Sequence, residues 1–435
     1  MNKLIKNACI MTMDADNTII ENAYIGIEAG FITYVGTDFP VTFIPHMIID
    51  AKDKVVMPGL VNAHTHTPMI LLRNYADDLP LQQWLFDKIF PMEDKLTAED
   101  TYWACQLAMM EMLKSGVTCF ADMYFYMEEV AKAVNKSGMR ANLSRGLQCF
   151  IDDFDVMTDE RLLENEQLFK DWNGEANGRI KVSVGPHAVY TCVPAYLKAS
   201  VELAQRLETG IHIHVSETRK ERDECIEKYG KAPIKHLADL GVFEVDTLAA
   251  HCVHVSDEDL DILKQNQVNV VYNPGSNLKL GSGIAPISKM IKKGINVALA
   301  TDGAASNNNL NMFEEMHLAA LISKGVLEDH TAITAGQALQ MATVNGAKAL
   351  GNDHETGSIK VGMKADLVII NRKAPHFYPR NNITANLVYA AQASDVETVL
   401  VDGQILMDKG DFKTIDTEEV LYHINKISKR LFEVS

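Results

Sequence analysis

Two rhythms of apolar and polar positions divide the chain. Over residues 1–55, short β-prone runs at 4–11, 23–27, 31–36 and 47–50 are separated by turn signals such as Asp14-Ala15-Asp16-Asn17 and Ala29-Gly30. That spacing predicts a small antiparallel sheet. Further on, compact apolar runs alternate with longer stretches of helical period, which is the pattern of parallel α/β architecture. The runs at 56–64, 117–122, 141–145, 180–186, 211–214, 247–251, 268–273 and 297–302 predict eight buried strands. Helix punctuation falls between them. Thr97-Ala98-Glu99-Asp100 has the form of a capping box, the helix it opens runs through Met112 and closes at Gly116, and further helices are expected to end at Gly138, Gly210, Gly230, Gly241 and Gly294.

Eight strand-helix repeats over about 300 residues predict an α/β fold of the (β/α)8 barrel type, whose reactive groups lie at the C-terminal ends of the strands. After Gly351 the β-prone pattern returns at 358–360, 366–371, 397–401 and 404–407. The expected division is therefore a small composite β-sandwich domain from residues 1–56 and 357–420, a barrel over 57–356, and a C-terminal helix over 421–435.

Composition narrows the partners. The net charge of -17 comes without any basic block, which argues against nucleic acid or an anionic membrane and favours a small molecule. Seven cysteines without a CxxC pair predict neither a disulfide framework nor a zinc ribbon, and point to a reduced, cytoplasmic setting. No apolar run is long enough to span a membrane, and the N-terminus lacks the form of a signal peptide. A homo-oligomer is left open.

Polar and ionisable residues stand where the expected strands stop: His64 and His66 after the first, then Asp122, Arg145, His187, His214 with Glu217, His251 with His254, Asn273 and Asp302. In a barrel these ends share one mouth, so residues distant in sequence become one site. The pair His64 and His66, spaced i, i+2, projects from one face of a strand. With His214 and Asp302 it makes a three-nitrogen, one-oxygen donor set that leaves a position for water, the arrangement of a catalytic zinc. Such an ion lowers the pKa of its water from about 15.7 towards about 7. Glu217, three residues past His214, is placed to shuttle protons, as deamination requires. A second metal would need a bridging lysine at the end of the fourth strand. That end reads Gly185-Pro186-His187, and Lys181 lies at the strand's start, so one zinc per subunit is expected, with iron or manganese as alternative occupants.

The strings PGLVNAHTH, GPHAVY, HIHVSET, AAHCVH, NPGSNLKL, ATDGAASNNN and GSIKVGMKADLVII, in this order across nearly the whole chain, resemble the amidohydrolase superfamily, and within it the 5'-methylthioadenosine/S-adenosylhomocysteine deaminases. The resemblance implies a metal-dependent hydrolytic deaminase that converts 5'-methylthioadenosine, S-adenosylhomocysteine or adenosine to the 6-oxopurine nucleoside and ammonia. It implies His64, His66, His214 and Asp302 as metal ligands, Glu217 as the acid acting at purine N1, and His251 as the residue orienting the water, with Asp302 receiving its proton. Trp84 and Glu93 match positions lining the nucleoside pocket, Glu93 towards the ribose, while Arg145 and His187 match substrate-binding positions. The alternative substrate is another heterocycle, guanine, cytosine or a triazine. Some relatives carry a second arginine about a dozen residues after the Arg145 position. Here that stretch holds Asp152, Asp153 and Asp155, from which a preference for methylthioadenosine or adenosine over S-adenosylhomocysteine is expected.

Several candidates have duller readings. His212 is assigned to structure and expected to face away from the mouth. His254 reads as a helix-start residue, Asp122 as a support of the strand end, and Asn307-Asn308-Asn309 as the start of a helix. His236, His317 and His330 read as ordinary surface or core histidines.

Overall fold

The computed structural model describes residues 1–432. Its centre is a parallel eight-stranded sheet, β1 to β8, formed by Leu60–Thr65, Val117–Tyr124, Arg140–Leu147, Ile180–Pro186, Ile211–Val215, Thr247–His251, Asn269–Tyr272 and Val297–Leu299. Each strand pairs with its sequence neighbour. The first and last strands meet as Asp302 N donates to His64 O at 3.1 Å and Thr301 N to Asn62 Oδ1 at 3.0 Å, so the sheet nearly closes into a barrel. Nearly every strand residue is buried, which is why the strands read as continuous apolar runs instead of alternating ones.

The expected strand 56–64 is two strands. Lys54–Pro58 belongs to a second sheet, and Leu60–Thr65 opens the barrel. Between them Gly59 donates to Asp366 O at 3.0 Å while Leu60 donates to Gly116 O at 2.9 Å, so the chain changes sheets within one residue. A Cβ on Gly59 would lie 2.1 Å from the Thr118 side chain, and only glycine fits the crossing.

The second sheet has nine strands and joins the two chain ends, because Leu367–Asn371 pairs antiparallel with Lys54–Pro58. It is mixed, not antiparallel throughout: Met47–Asp50 and Lys54–Pro58 both run parallel to Lys3–Met11. Residues 358–360 form no strand; Ile359 donates to Thr12 O and adds its side chain to the sheet's apolar core. Barrel and sheet are tied by Arg140, whose buried guanidinium meets Asp366 at 3.0 Å, Asp402 at 2.8 Å and Glu355 at 3.1 Å.

Helix Ala98–Lys114 opens on the expected capping box, with Thr97 and Asp100 bonded reciprocally. Gly116, Gly138, Gly230, Gly241 and Gly294 are left-handed, as helix-ending glycines are, whereas Gly210 is not. Helix Pro194–Arg206 is followed by Glu208 at φ 52°, and Gly210 is needed because a Cβ there would stand 2.6 Å from Asp246 O. The last helix runs Thr417–Phe432, starting before 421, and residues 433–435 of the expected segment lie outside the described residues. No described helix is long and apolar enough to cross a membrane.

Candidate active site

At the C-terminal ends of β1, β5 and β8 three imidazoles and a carboxylate converge. His64, His66 and His214 form one group of donor atoms lying within 4.8 Å of one another, and His64, His251 and Asp302 form a second. His66 Nδ1 bonds to Met123 O at 2.5 Å and His214 Nδ1 to His187 O at 2.8 Å. A carbonyl only accepts, so both Nδ1 atoms carry the ring proton and both Nε2 atoms are bare. Those two Nε2 atoms face each other at 3.2 Å. His64 Nε2, fully buried, has no hydrogen-bond partner among the described residues, and Asp302 Oδ1 lies 3.5 Å from it and from His66 Nε2. Two lone pairs and an anion facing one buried point, beside a third ring nitrogen without a partner, repel unless a cation lies among them. The donor set fits a metal ion, and its three nitrogens and one oxygen suit zinc-type chemistry.

The carboxyl groups beside this cluster are driven apart. Burial works against charge on Asp302, but the His64, His66 and His251 rings outweigh it and hold the carboxyl well below the usual range. Its two oxygens accept from Ser276 Oγ at 2.6 Å and from the Gly303 amide at 2.7 Å. Glu217 goes the other way: burial first, then the charges of Asp302 and Glu221, push it well above an ordinary glutamate, against one hydrogen bond from Ser282. The two carboxyls are shifted in opposite directions, the separation that acid-base assignments rest on. His251 Nε2 stands 3.7 Å from Glu217 Oε2, and the amides of Asn273 and Asn277 hold its Nδ1 at 3.2 and 2.9 Å. Burial depresses His251 to about 3 and keeps the ring neutral.

Two of these residues sit on strained backbone. His251 has φ 74° and Asp302 φ 65°, conformations costing on the order of 1–3 kcal/mol each for non-glycine residues and concentrated at functional sites. Asp302 lies three residues past the end of β8, so its side chain is aimed by this turn and not by the strand.

Above the cluster opens a cavity of about 740 Å³. Its wall includes Trp84, Glu93, Arg145 and His187 with His66, His214, Glu217, His251 and Asp302, so the structure gathers the sequence-predicted site residues around one space, with buried His64 completing the cluster at its floor. Trp84 Nε1 is buried and has no partner among the described residues. Glu93 accepts a hydrogen bond from Tyr124 Oη at 2.7 Å, and His187 Nδ1 is bonded to Thr191 Oγ1 at 2.9 Å. Arg145 is paired with Glu164 at 2.6 Å. Asp152, Asp153 and Asp155 do not line this cavity, whereas Arg161 does. The expected bias against an anionic tail therefore loses its footing: the outer wall mixes Arg145 and Arg161 with Glu128, Glu164 and Asp171.

Residues 55–406 match the amidohydrolase family. The chain belongs to the amidohydrolase family. This amidohydrolase is 55% identical to a 5-methylthioadenosine/S-adenosylhomocysteine deaminase of Thermoanaerobacter pseudethanolicus, with 100% of each chain covered. It is 48% identical to a 5'-deoxyadenosine deaminase of Methanosarcina acetivorans, over 98% of each chain. Among solved structures, an adenosine deaminase from Xanthomonas campestris with bound zinc superposes with TM-score 0.95 at 33% identity, covering 99% of both chains.

Other candidates in this amidohydrolase make contacts within the fold. Asp122 accepts from both the amide and the hydroxyl of Thr67 and so ties the end of β2 to the turn after β1. His254 is no helix start, since the next helix begins at Asp257; its Nε2 bonds Ser282 O at 2.7 Å and thereby holds the residue whose hydroxyl reaches Glu217. Of the three consecutive asparagines, Asn307 and Asn308 end a short helix, and Asn311 caps Met312–Leu327. His236 stacks on Tyr229, His317 bonds Val388 O, and His330 is exposed. His212 does not face away. Residues i and i+2 of a strand share a face, and His212 lies in the barrel interior with its Nε2 2.7 Å from His64 Nδ1.

Sequence reading missed Tyr124, Arg161, Ser282 and Glu221, the last accepting from the Ser216 and Glu217 amides at 2.8 and 2.7 Å. Only Glu221 had a local signal, standing three residues after the cap Thr218 where a capping glutamate is expected.

Proposed function

We propose that this amidohydrolase is a hydrolytic deaminase of adenosine-type nucleosides, 5'-methylthioadenosine, S-adenosylhomocysteine or adenosine, holding one zinc per subunit on His64, His66, His214 and Asp302. The observation that carries the reading is the placing of Glu217 and Asp302, two buried carboxyls shifted in opposite directions, beside that donor set on the wall of a cavity of about 740 Å³. The relatives named above act on adenosine-type nucleosides and share its full length.

A divalent ion held there supplies, when bound, a water acidified from about 15.7 towards about 7. The protein's own groups do the rest. Glu217 donates its proton to purine N1, where it stays, and makes C6 electrophilic; it regains one from the hydroxyl that becomes the 6-oxo group, and the departing nitrogen takes the proton that Asp302 removed from the water. Asp302, kept ionised, accepts the proton shed by the attacking water. His251 orients that water by hydrogen bonding. Trp84 and His187 flank the purine, Glu93 accepts from the ribose hydroxyls, and Arg145 holds the 5' substituent. A bare guanine, cytosine or triazine would bring Glu93 no ribose and Arg145 no 5' substituent to hold.

An ultraviolet assay of adenosine, 5'-methylthioadenosine and S-adenosylhomocysteine side by side tests this reading. Conversion of at least one to its 6-oxo product with equimolar ammonia is expected; turnover of free bases alone would refute it.

The ribose contact carries its own pH signature. Burial pushes Glu93 up to about 7, against the hydrogen bond from Tyr124. Accepting from ribose hydroxyls calls for the carboxylate, so kcat/KM should fall as the pH drops through about 7 or below, because the bound cation favours the charged form. In Tyr124→Phe that acid limb moves to higher pH, since the bond that favoured the carboxylate is gone. An unmoved limb in pH profiles of the two proteins would exclude Glu93 as its source.

A further inference from the structure

We propose that Ser144 and His212 select the tautomer of His64, and so decide which of its ring nitrogens is bare. The inference rests on the reading of the cluster as a metal site. His66 and His214 each have Nδ1 on a backbone carbonyl, a group that can only accept, so their tautomers are set at once. His64 differs. Its Nδ1 meets another imidazole, His212 Nε2, at 2.7 Å, and an imidazole nitrogen can either donate or accept.

The ambiguity is resolved one step further away. Ser144 Oγ lies 3.1 Å from Asp122 O and 3.3 Å from His212 Nδ1. The carbonyl cannot donate, so the single hydroxyl proton goes to it, and Oγ is left to accept from His212 Nδ1–H. A neutral ring has one N–H, so His212 Nε2 is a lone pair. It accepts from His64 Nδ1–H, and His64 Nε2 is bare. That is the atom with no protein partner, 3.5 Å from Asp302 Oδ1. Reversing the order would place a proton on His64 Nε2, aimed into the cluster. Ser144, His212 and His64 are 0%, 2% and 0% exposed, which leaves no solvent to substitute for any link. Ser144 and His212 are neither among the cavity's lining residues nor members of the donor groups; they act only through His64, as positioning residues.

The full-length protein is stripped of metal and titrated with zinc alone against a chelating dye. Loss of an outer partner of a metal-binding histidine weakens affinity about 10- to 100-fold, the drop expected of His212→Phe. His212→Gln, whose carbonyl can accept from His64, should stay close to wild type. Ser144→Ala should weaken zinc binding less than His212→Phe, and Ser144→Thr should restore it; this pair carries the test if His212→Phe does not fold. A packing role alone would not be rescued by restoring an acceptor. Zinc affinity unchanged in His212→Phe, or in Ser144→Ala when only that pair folds, overturns the relay. A wild-type protein that takes up no zinc overturns the site itself, which is a different failure.

Discussion

Glu217→Gln is expected to lower kcat for the preferred nucleoside by about 100- to 10,000-fold, the range of a general acid-base group, without changing metal content. Glutamine keeps the shape and can still accept from Ser282, but it has no carboxyl proton to give. The direction of the effect follows from the electrostatics: burial, Asp302 and Glu221 together push Glu217 well above an ordinary glutamate and so favour its acid form. Glu217 stands outside the donor groups, so metal analysis of the variant separates a lost acid from a lost ion. A variant keeping more than about a tenth of the turnover would remove Glu217 from the chemistry.

The second large effect concerns the joint between barrel and sheet. Arg140→Met should destabilise the protein by about 3–5 kcal/mol, as breaking a buried ion pair from one side does. The guanidinium is 2% exposed and Asp366 1% exposed, and the variant leaves Asp366 the Asp402 amide but not its cation. The sign with pH is fixed. Burial already raises Asp366 against the pull of Arg140, and removing the arginine raises it further. A carboxyl raised in the folded state has its stability present below the unfolded value, near about 3.9, and loses it as pH rises. The gap between wild type and variant should therefore widen from acid to neutral pH in urea unfolding curves. A loss under about 1 kcal/mol, or a gap that narrows, would mean the network does not hold the joint.

Much of this architecture was legible because barrel strands are local signals. Each buried run is bounded by glycine, proline or a cap, and the polar residues following the runs are those that the closed sheet brings together. Departures came where a tertiary contact decides a local matter. The break at Gly59 depends on how closely Thr118 approaches, and 56–64 reads as one run without that neighbour. Glu208 takes the left-handed turn expected of Gly210, which is needed instead for a backbone crossing.

In the site, the donor set could be read from spacing at strand ends, and the geometry brings those atoms together. The supporting residues could not. Tyr124 projects into the cavity from the far end of β2, and Arg161 reaches it from a helix beyond the acidic stretch that drew attention in the sequence. The strained φ values of His251 and Asp302 cannot be read from residue type alone, since most histidines and aspartates here have negative φ. His212 was misplaced through a wrong face assignment and not through any lack of signal, since the strand period puts it beside His214.

The most direct test titrates metal-free protein with zinc while following deamination of 5'-methylthioadenosine by ultraviolet absorbance. Activity should be absent without metal, rise in proportion to zinc, and level off at one equivalent per chain. Full turnover without metal, or none after reconstitution, would contradict the account.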